Sequence, residues 1–251
     1  GGGLSTNNAS SYIPSCQGFF IQTTGSNPII KVNNEARIHD DQAFFKSQDE
    51  PKDLLRISVL GEYGKDEIII HFTEGATDGL DENMDIEKLE GSEESPQLYS
   101  FYSEKQYSIS SFPEITENKL VPVYFNPQSN GEFEIVISGI SSFDDNISVI
   151  LEDNQLNYFQ EITEDFTYII QADTLNIKNR FTVHFITNQQ SGAENEPEIF
   201  STNDYIYIRS YEPLLGNIEV FNPLGQSIIQ SEIHSSINKI DMKGKKGVFI
   251  L

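Results

Sequence analysis

The chain has 251 residues, with 16 Lys and Arg against 39 Asp and Glu, for a formal charge of −23. That balance argues against nucleic acid and anionic membrane as partners, because both need basic surface to neutralise phosphate. No stretch approaches the roughly 18 consecutive apolar residues of a bilayer-spanning helix, so no membrane insertion is expected. The single cysteine, Cys16, excludes an internal disulfide framework and a Cys-based zinc site.

The opening, Gly1 to Ser11, has neither a basic n-region nor an apolar h-region and does not read as a signal peptide. Runs rich in Ile, Val, Phe and Tyr then recur between turn signals, the pattern of an all-β sandwich. Predicted strands are Gly18–Thr23, Leu54–Leu60, Glu67–Phe72, Tyr107–Ser111, Leu120–Phe125, Glu132–Ser138, Ile147–Glu152, Phe166–Gln171 and Phe181–Ile186. Leu55-Arg56-Ile57-Ser58-Val59 alternates strictly, which buries one face and wets the other. The segment Gly61–Asp66 predicts a hairpin with a loop of about five residues into Glu67–Phe72. No window carries a 3.6-residue apolar stripe, so helix is expected to be minor.

Between Glu74 and Glu94 lie nine acids opposed only by Lys88. Oxygen ligands on a flexible loop suit Ca²⁺, which makes Asp78, Asp81 and Asp85 the candidate metal ligands. The spacing is not that of an EF-hand. The competing reading is a solvated acidic loop in which Asp81 or Asp85 caps a short turn. Asp144-Asp145 with Glu152-Asp153 is a second acidic spot. A glycosidase needs two carboxylates at a fixed separation in a cleft, which spacing in a crowded acidic loop does not supply.

The histidines, His39, His71, His184 and His234, do not cluster. His71 and His184 sit between apolar strand neighbours and are expected on the polar face. Cys16, between Ser15 and Gln17 with no local histidine, reads as a buried inert thiol. Tyr99, Phe101, Tyr102 and Tyr107 form the densest aromatic cluster and the candidate glycan platform, although aromatics also favour half-buried strand positions. No catalytic constellation and no cofactor site emerge, and the chain is read as non-enzymatic.

Residues 187–201, rich in Gln, Ser, Gly and Glu, read as a linker, because the acidic bias ends there: residues 202–251 hold five acidic and five basic residues. Beyond it Tyr205–Ile208, Gly216–Asn222, Gln226–Glu232, Ile237–Met242 and Gly247–Leu251 predict about five short strands, with a turn at Asn222-Pro223-Leu224-Gly225. So small a sandwich is marginal unless it packs on something else. Gly247–Leu251 reads as an unfinished strand edge, and the natural chain is expected to extend further.

The segment Gly216-Asn217-Ile218-Glu219-Val220-Phe221-Asn222-Pro223-Leu224-Gly225-Gln226, followed by Ile240-Asp241-Met242 and Lys246-Gly247-Val248-Phe249-Ile250-Leu251, resembles the C-terminal sorting domain of type IX secretion cargo in Bacteroidetes (Por secretion system type A). It departs from that family by stopping before the final Lys-rich strand. The resemblance marks Gly216, Gly225, Gln226, Asp241, Gly247, Val248 and Phe249 as the sorting-signal motif. It implies the type IX translocon and outer-membrane shuttle components as partners, and an extracellular or cell-surface destination. Ile13–Ile21, Ala36-Arg37, Phe72–Asp81, Asp85–Leu89, Leu151-Glu152-Asp153 and Arg180-Phe181 resemble a module often found before such sorting domains. The expected architecture is therefore all-β: a large antiparallel β-sandwich (jelly-roll or Ig-like) at 1–186, then a small Ig-like β-sandwich at 202–251. The alternative function is a glycan- or calcium-binding module of a surface adhesin or hydrolase.

Overall fold

The computed structural model describes residues 27–29, 31, 33–36, 51–102, 104–174, 179–187, 197–202, 204–210 and 212–250. The predicted strand Gly18–Thr23, Cys16 and His39 lie outside them. The chain divides into two compact units, Gly1–Pro51 and Lys52–Leu251. In the first, Asn34–Ala36 form a 3₁₀ turn. Every sheet described below belongs to the second.

Eleven strands build one large sheet. They are β1 (Leu54–Gly61), β2 (Gly64–Phe72), β3 (Ile86–Glu87), β4 (Gln97–Tyr102), β5 (Lys105–Phe112) and β6 (Lys119–Asn126), then β7 (Gly131–Ser138), β8 (Ile147–Asp153), β9 (Tyr158–Ile162), β10 (Phe166–Ala172) and β11 (Phe181–Thr187). Their order is β10-β7-β1-β2-β5-β4-β6-β11-β8-β9, with β3 also on β5. The sheet folds back on itself over one apolar core. Phe72 of β2 meets Phe185 of β11 edge-on at 4.6 Å between ring centroids, and Phe125 of β6 meets Phe133 of β7 at 5.2 Å. The terminal strands approach each other as well, because Tyr158 of β9 stacks on Tyr168 of β10 at 5.5 Å. A sandwich or nearly closed barrel describes this arrangement.

Alternation drives it. Leu55, Ile57 and Val59 of β1 and Ile68, Ile70 and Phe72 of β2 all point into the core, while Arg56 and Ser58 on the opposite face bond Glu67 across the pair. Two details depart from expectation. The β1–β2 loop is only Glu62-Tyr63, because Gly61 pairs with Gly64. And β2 runs parallel to β5, Ile69 opposite Ile109, so the large sheet is not wholly antiparallel. Gly139 needs to be glycine: at φ 91° its missing Cβ would lie 2.4 Å from the Leu54 carbonyl oxygen.

Five further strands follow: β12 (Glu198–Thr202), β13 (Tyr205–Arg209), β14 (Gly216–Phe221), β15 (Ser227–Ile233) and β16 (Ile237–Asp241). One sheet has the order β12-β13-β16, and β14-β15 form a hairpin. Ile206, Ile208, Val220, Ile240 and Met242 make a second, smaller core between them, with Phe249 packed against it. Strand β12 occupies the end of the segment read as a linker. Conversely, Gly247–Ile250 do not form the predicted fifth strand: the described part makes a single antiparallel bridge, Ile250 with Phe221.

Candidate functional site

Strands β8 and β11 carry an anomaly that locates the site. In β11, Phe181 through Ile186 are all buried, and in β8 so are Val149 through Asp153. Val149, Leu151, Phe181, Val183 and Phe185 belong to the large core. By alternation Ile150, Glu152, Thr182, His184 and Ile186 face the other way, and they are buried too. The three-stranded sheet β12-β13-β16 supplies what covers them. Its one face (Ile206, Ile208, Ile240) looks into the small core, and its other face carries Phe200, Tyr207 and Lys239 in one cross-strand row.

At the centre is Glu152, with no exposed surface. His184 Nε2 donates to its Oε2 at 2.7 Å, the Tyr207 hydroxyl donates to the same oxygen at 3.3 Å, and Lys239 Nζ donates to Oε1. Lys239 also reaches Asn154 Oδ1 at 3.1 Å and lies 4.0 Å from the Tyr205 ring centroid, so an aromatic face adds to the neutralisation of its charge. Burial pushes the Glu152 carboxyl upward, but the bonds from His184 and Lys239 outweigh it and hold the group below its ordinary value. The Tyr207 phenol is pushed up, by burial first and by the Glu152 charge second. Rings enclose the cluster: Phe200 stacks on Tyr207 at 5.2 Å, and His184 meets Tyr207 edge-on at 4.9 Å. At the margin Arg209 donates to Ser148 Oγ and Glu161 Oε1, each at 2.9 Å.

The next residue does the same work on the opposite face. Asp153 is fully buried and accepts from Arg180 Nε and Nη2 at 3.2 and 3.1 Å, from the Tyr168 hydroxyl at 3.3 Å, and from the backbone N–H groups of Gln155 and Leu156. Burial, then the Asp153 charge, pushes the Tyr168 phenol up to about 12. Glu152 and Asp153 are thus two separate anchors, facing opposite ways. Asp144, grouped with them by sequence, instead pairs with Lys52 on the surface.

His184 lies on the face turned away from the large core, as expected, but that face is not wet: its exposure is 1%, because a second sheet covers the outer face of β11. Sequence spacing placed Glu152 only in an acidic spot with Asp144, Asp145 and Asp153, and gave no weight to Lys239 or Tyr207. One signal was present, the unbroken apolar run Val149-Ile150-Leu151, which marks a strand buried on both faces.

The acidic loop resolves differently. Asp78 pairs with Lys119. Asp81 accepts from the Thr77 backbone N–H at 2.6 Å and its hydroxyl, and Asp85 accepts from the backbone N–H groups of Asp81 and Ser111 at 2.8 and 2.7 Å. Asp81 ties down its own loop, Asp85 also ties it to β5 and Asp78 pairs across to Lys119, and among the described residues no three acidic, His or Cys side chains converge on a common point. Asp85→Ala is therefore expected to lower stability by about 1–3 kcal/mol by orphaning the buried Ser111 N–H. The size of that loss, read from urea unfolding, is expected to be the same in CaCl₂ and in NaCl at matched ionic strength.

The aromatic cluster is largely spent on packing. Tyr102 stacks on buried Tyr107 at 4.1 Å and Tyr99 on Tyr124 at 5.4 Å, leaving Phe101, 46% exposed, as the open ring. In the small domain Gly225 takes φ 77° in a turn held by Asn222, whose side chain accepts from the N–H groups of Leu224 and Gln226. Gly216 opens β14, and Asp241 closes β16 with its carboxylate on the Lys243 N–H. No helix among the described residues is long and apolar enough to cross a membrane.

Comparison with known families matches residues 1–185 to a domain of unknown function, DUF8693. The chain belongs to that family. No curated protein and no solved structure matches it. The matched region ends inside β11, so the residues that cover the outer faces of β8 and β11 come from beyond it.

Proposed function

We propose that this chain is the non-enzymatic C-terminal portion of a secreted or cell-surface protein. In this reading residues 202–251 act as a sorting domain, Ig-like in plan, recognised by the type IX translocon and its outer-membrane shuttle components. The module at 1–186, jelly-roll or Ig-like in plan, spaces and presents what precedes it. The observation carrying the reading is the division of labour in the small domain. Its β12-β13-β16 layer is committed to the Glu152 cluster, while the Asn222–Gln226 turn and Val248, 72% exposed, stay open to a receptor. A signal that must be read on a folded cargo needs an accessible motif on a firmly seated support.

The test is export of the chain, completed with the final Lys-rich strand of the sorting-domain pattern, behind a secretion signal, in a bacterium with a type IX pathway and in its translocon-deficient derivative. The chain is expected outside the first and in the periplasm of the second, with Gly225→Ala and Gln226→Ala together reducing export. Periplasmic retention in both strains would overturn the assignment.

A further inference from the structure

Several strand edges of the small domain have no partner among the described residues, and that of β12 is the one with a crevice beside it. Among the described residues no strand pairs with β12 on the side away from β13. Beside that edge lies a crevice of about 520 Å³. Its floor is apolar, formed by Ile206 and Met242 of the small core, and Phe249 is one wall. That wall is fixed, because Ile250 and Phe221 exchange both backbone hydrogen bonds, at 2.8 and 2.9 Å. Ile199 of β12 stands at the crevice, 55% exposed, although it shares a face with the core residues Ile206 and Ile208. An apolar side chain there is half covered: among the described residues its neighbours lie on one side only.

The charge at this spot runs against the rest of the molecule. Lys245 and Lys246 line the crevice, and with Lys243 they put three lysines in four residues of a chain whose net charge is −23. Three requirements therefore meet: main-chain groups along a strand edge that no described residue pairs, a slot with apolar side chains at its floor, and cations beside it. Strand addition draws affinity from the first and selectivity from the other two. We propose that the crevice takes an extended acidic peptide segment of a partner protein, which adds as a strand to β12. Alternate apolar side chains enter beside Ile199, Met242 and Phe249, and its carboxylates meet Lys245 and Lys246. A second copy of this chain is the poorer occupant, because two bodies of charge −23 repel. The inference does not depend on the export reading.

The probe is a fluorescein-labelled peptide, Glu-Val-Glu-Phe-Glu-Val-Glu, titrated against the full chain by anisotropy. Saturable binding is expected, weakened about ten-fold or more by Lys245→Glu with Lys246→Glu and weakened by added salt. Ile199→Lys and N-methylation of alternate peptide bonds are each expected to abolish it. These substitutions sit on exposed side chains, and unchanged melting curves check that the fold is intact. No saturable binding at millimolar protein, equal binding of the peptide with Lys for Glu, or binding indifferent to the variants overturns the proposal. So does a concentration-dependent dimer in sedimentation that Ile199→Lys abolishes, which would give the edge to a second copy.

Discussion

Replacing Glu152 with Gln is expected to lower the unfolding free energy by about 3–5 kcal/mol, the usual result of breaking a buried ion pair from one side. For a chain of this size that is roughly 6–20 °C in Tm. The amide keeps the volume but removes the charge that both His184 and Lys239 donate to, leaving the Lys239 ammonium, 14% exposed, without its buried counter-charge. The loss falls on the contact between the two sheets, and a local readout follows it. Carbethoxylation of His184, read by peptide mass spectrometry, is expected to be slow in the wild type and faster in Glu152→Gln. Adding Lys239→Met to that variant is expected to cost less than the sum of the single changes, with a coupling of about 0.5–3 kcal/mol. Strict additivity would show that the two groups do not act on each other.

The same carboxylate sets an acid dependence. Its folded-state pKa is depressed, so the unfolded chain takes up the proton first as the pH falls. The stabilisation is present in full above the ordinary glutamate value of 4.5 and is lost as the pH drops below it toward the folded value. His184, Lys239, Tyr207 and Arg209 from β11, β16 and β13 face the cluster, and none of them carries a negative charge that could replace it. Wild type is therefore expected to lose more stability than Glu152→Gln between neutral pH and this acid range. Parallel curves would remove Glu152 as the responsible group.

The second large effect is expected at Asp153→Asn. Arg180, 4% exposed, loses its counter-charge in a site closed to water, again at about 3–5 kcal/mol. The Gln155 and Leu156 N–H groups retain a carbonyl acceptor, so the deficit belongs to the ion pair more than to the turn. Ultraviolet titration provides an independent check. The Tyr168 phenol should titrate below its present position of about 12, because the Asp153 charge is one of the causes raising it, yet stay above the ordinary value, because burial is the larger cause. An unmoved Tyr168 transition would mean that burial alone sets it. Arg180→Met paired with Asp153→Asn is expected to recover part of the lost stability, since an apolar replacement removes the unpaired charge along with its partner.

Much of the fold is written in local pattern. Leu55-Arg56-Ile57-Ser58-Val59 and Glu132–Ile137 each specify a strand and its buried face, because a period of two leaves a half-buried sheet no other way to segregate apolar from polar side chains. Turn chemistry at Asn222–Gly225 was legible for the same local reason, a proline-fixed φ followed by a residue free to take a positive one. What pattern does not settle is whether the polar face stays wet. Val183-His184-Phe185 alternates just as an exposed strand would, and His184 is buried only because β13 and β16 lie across it. Glu152 stands 32 residues from His184 and 87 from Lys239, separations at which spacing holds no information about contact. A run of acids likewise does not say where each carboxylate goes: Asp81 and Asp85 found backbone N–H groups within their own loop and across to β5. The sequence by itself determined an all-β chain and which residues of each strand are apolar. Only the tertiary structure decided which charges leave water, because that choice depends on what packs over a face and not on the strand that presents it.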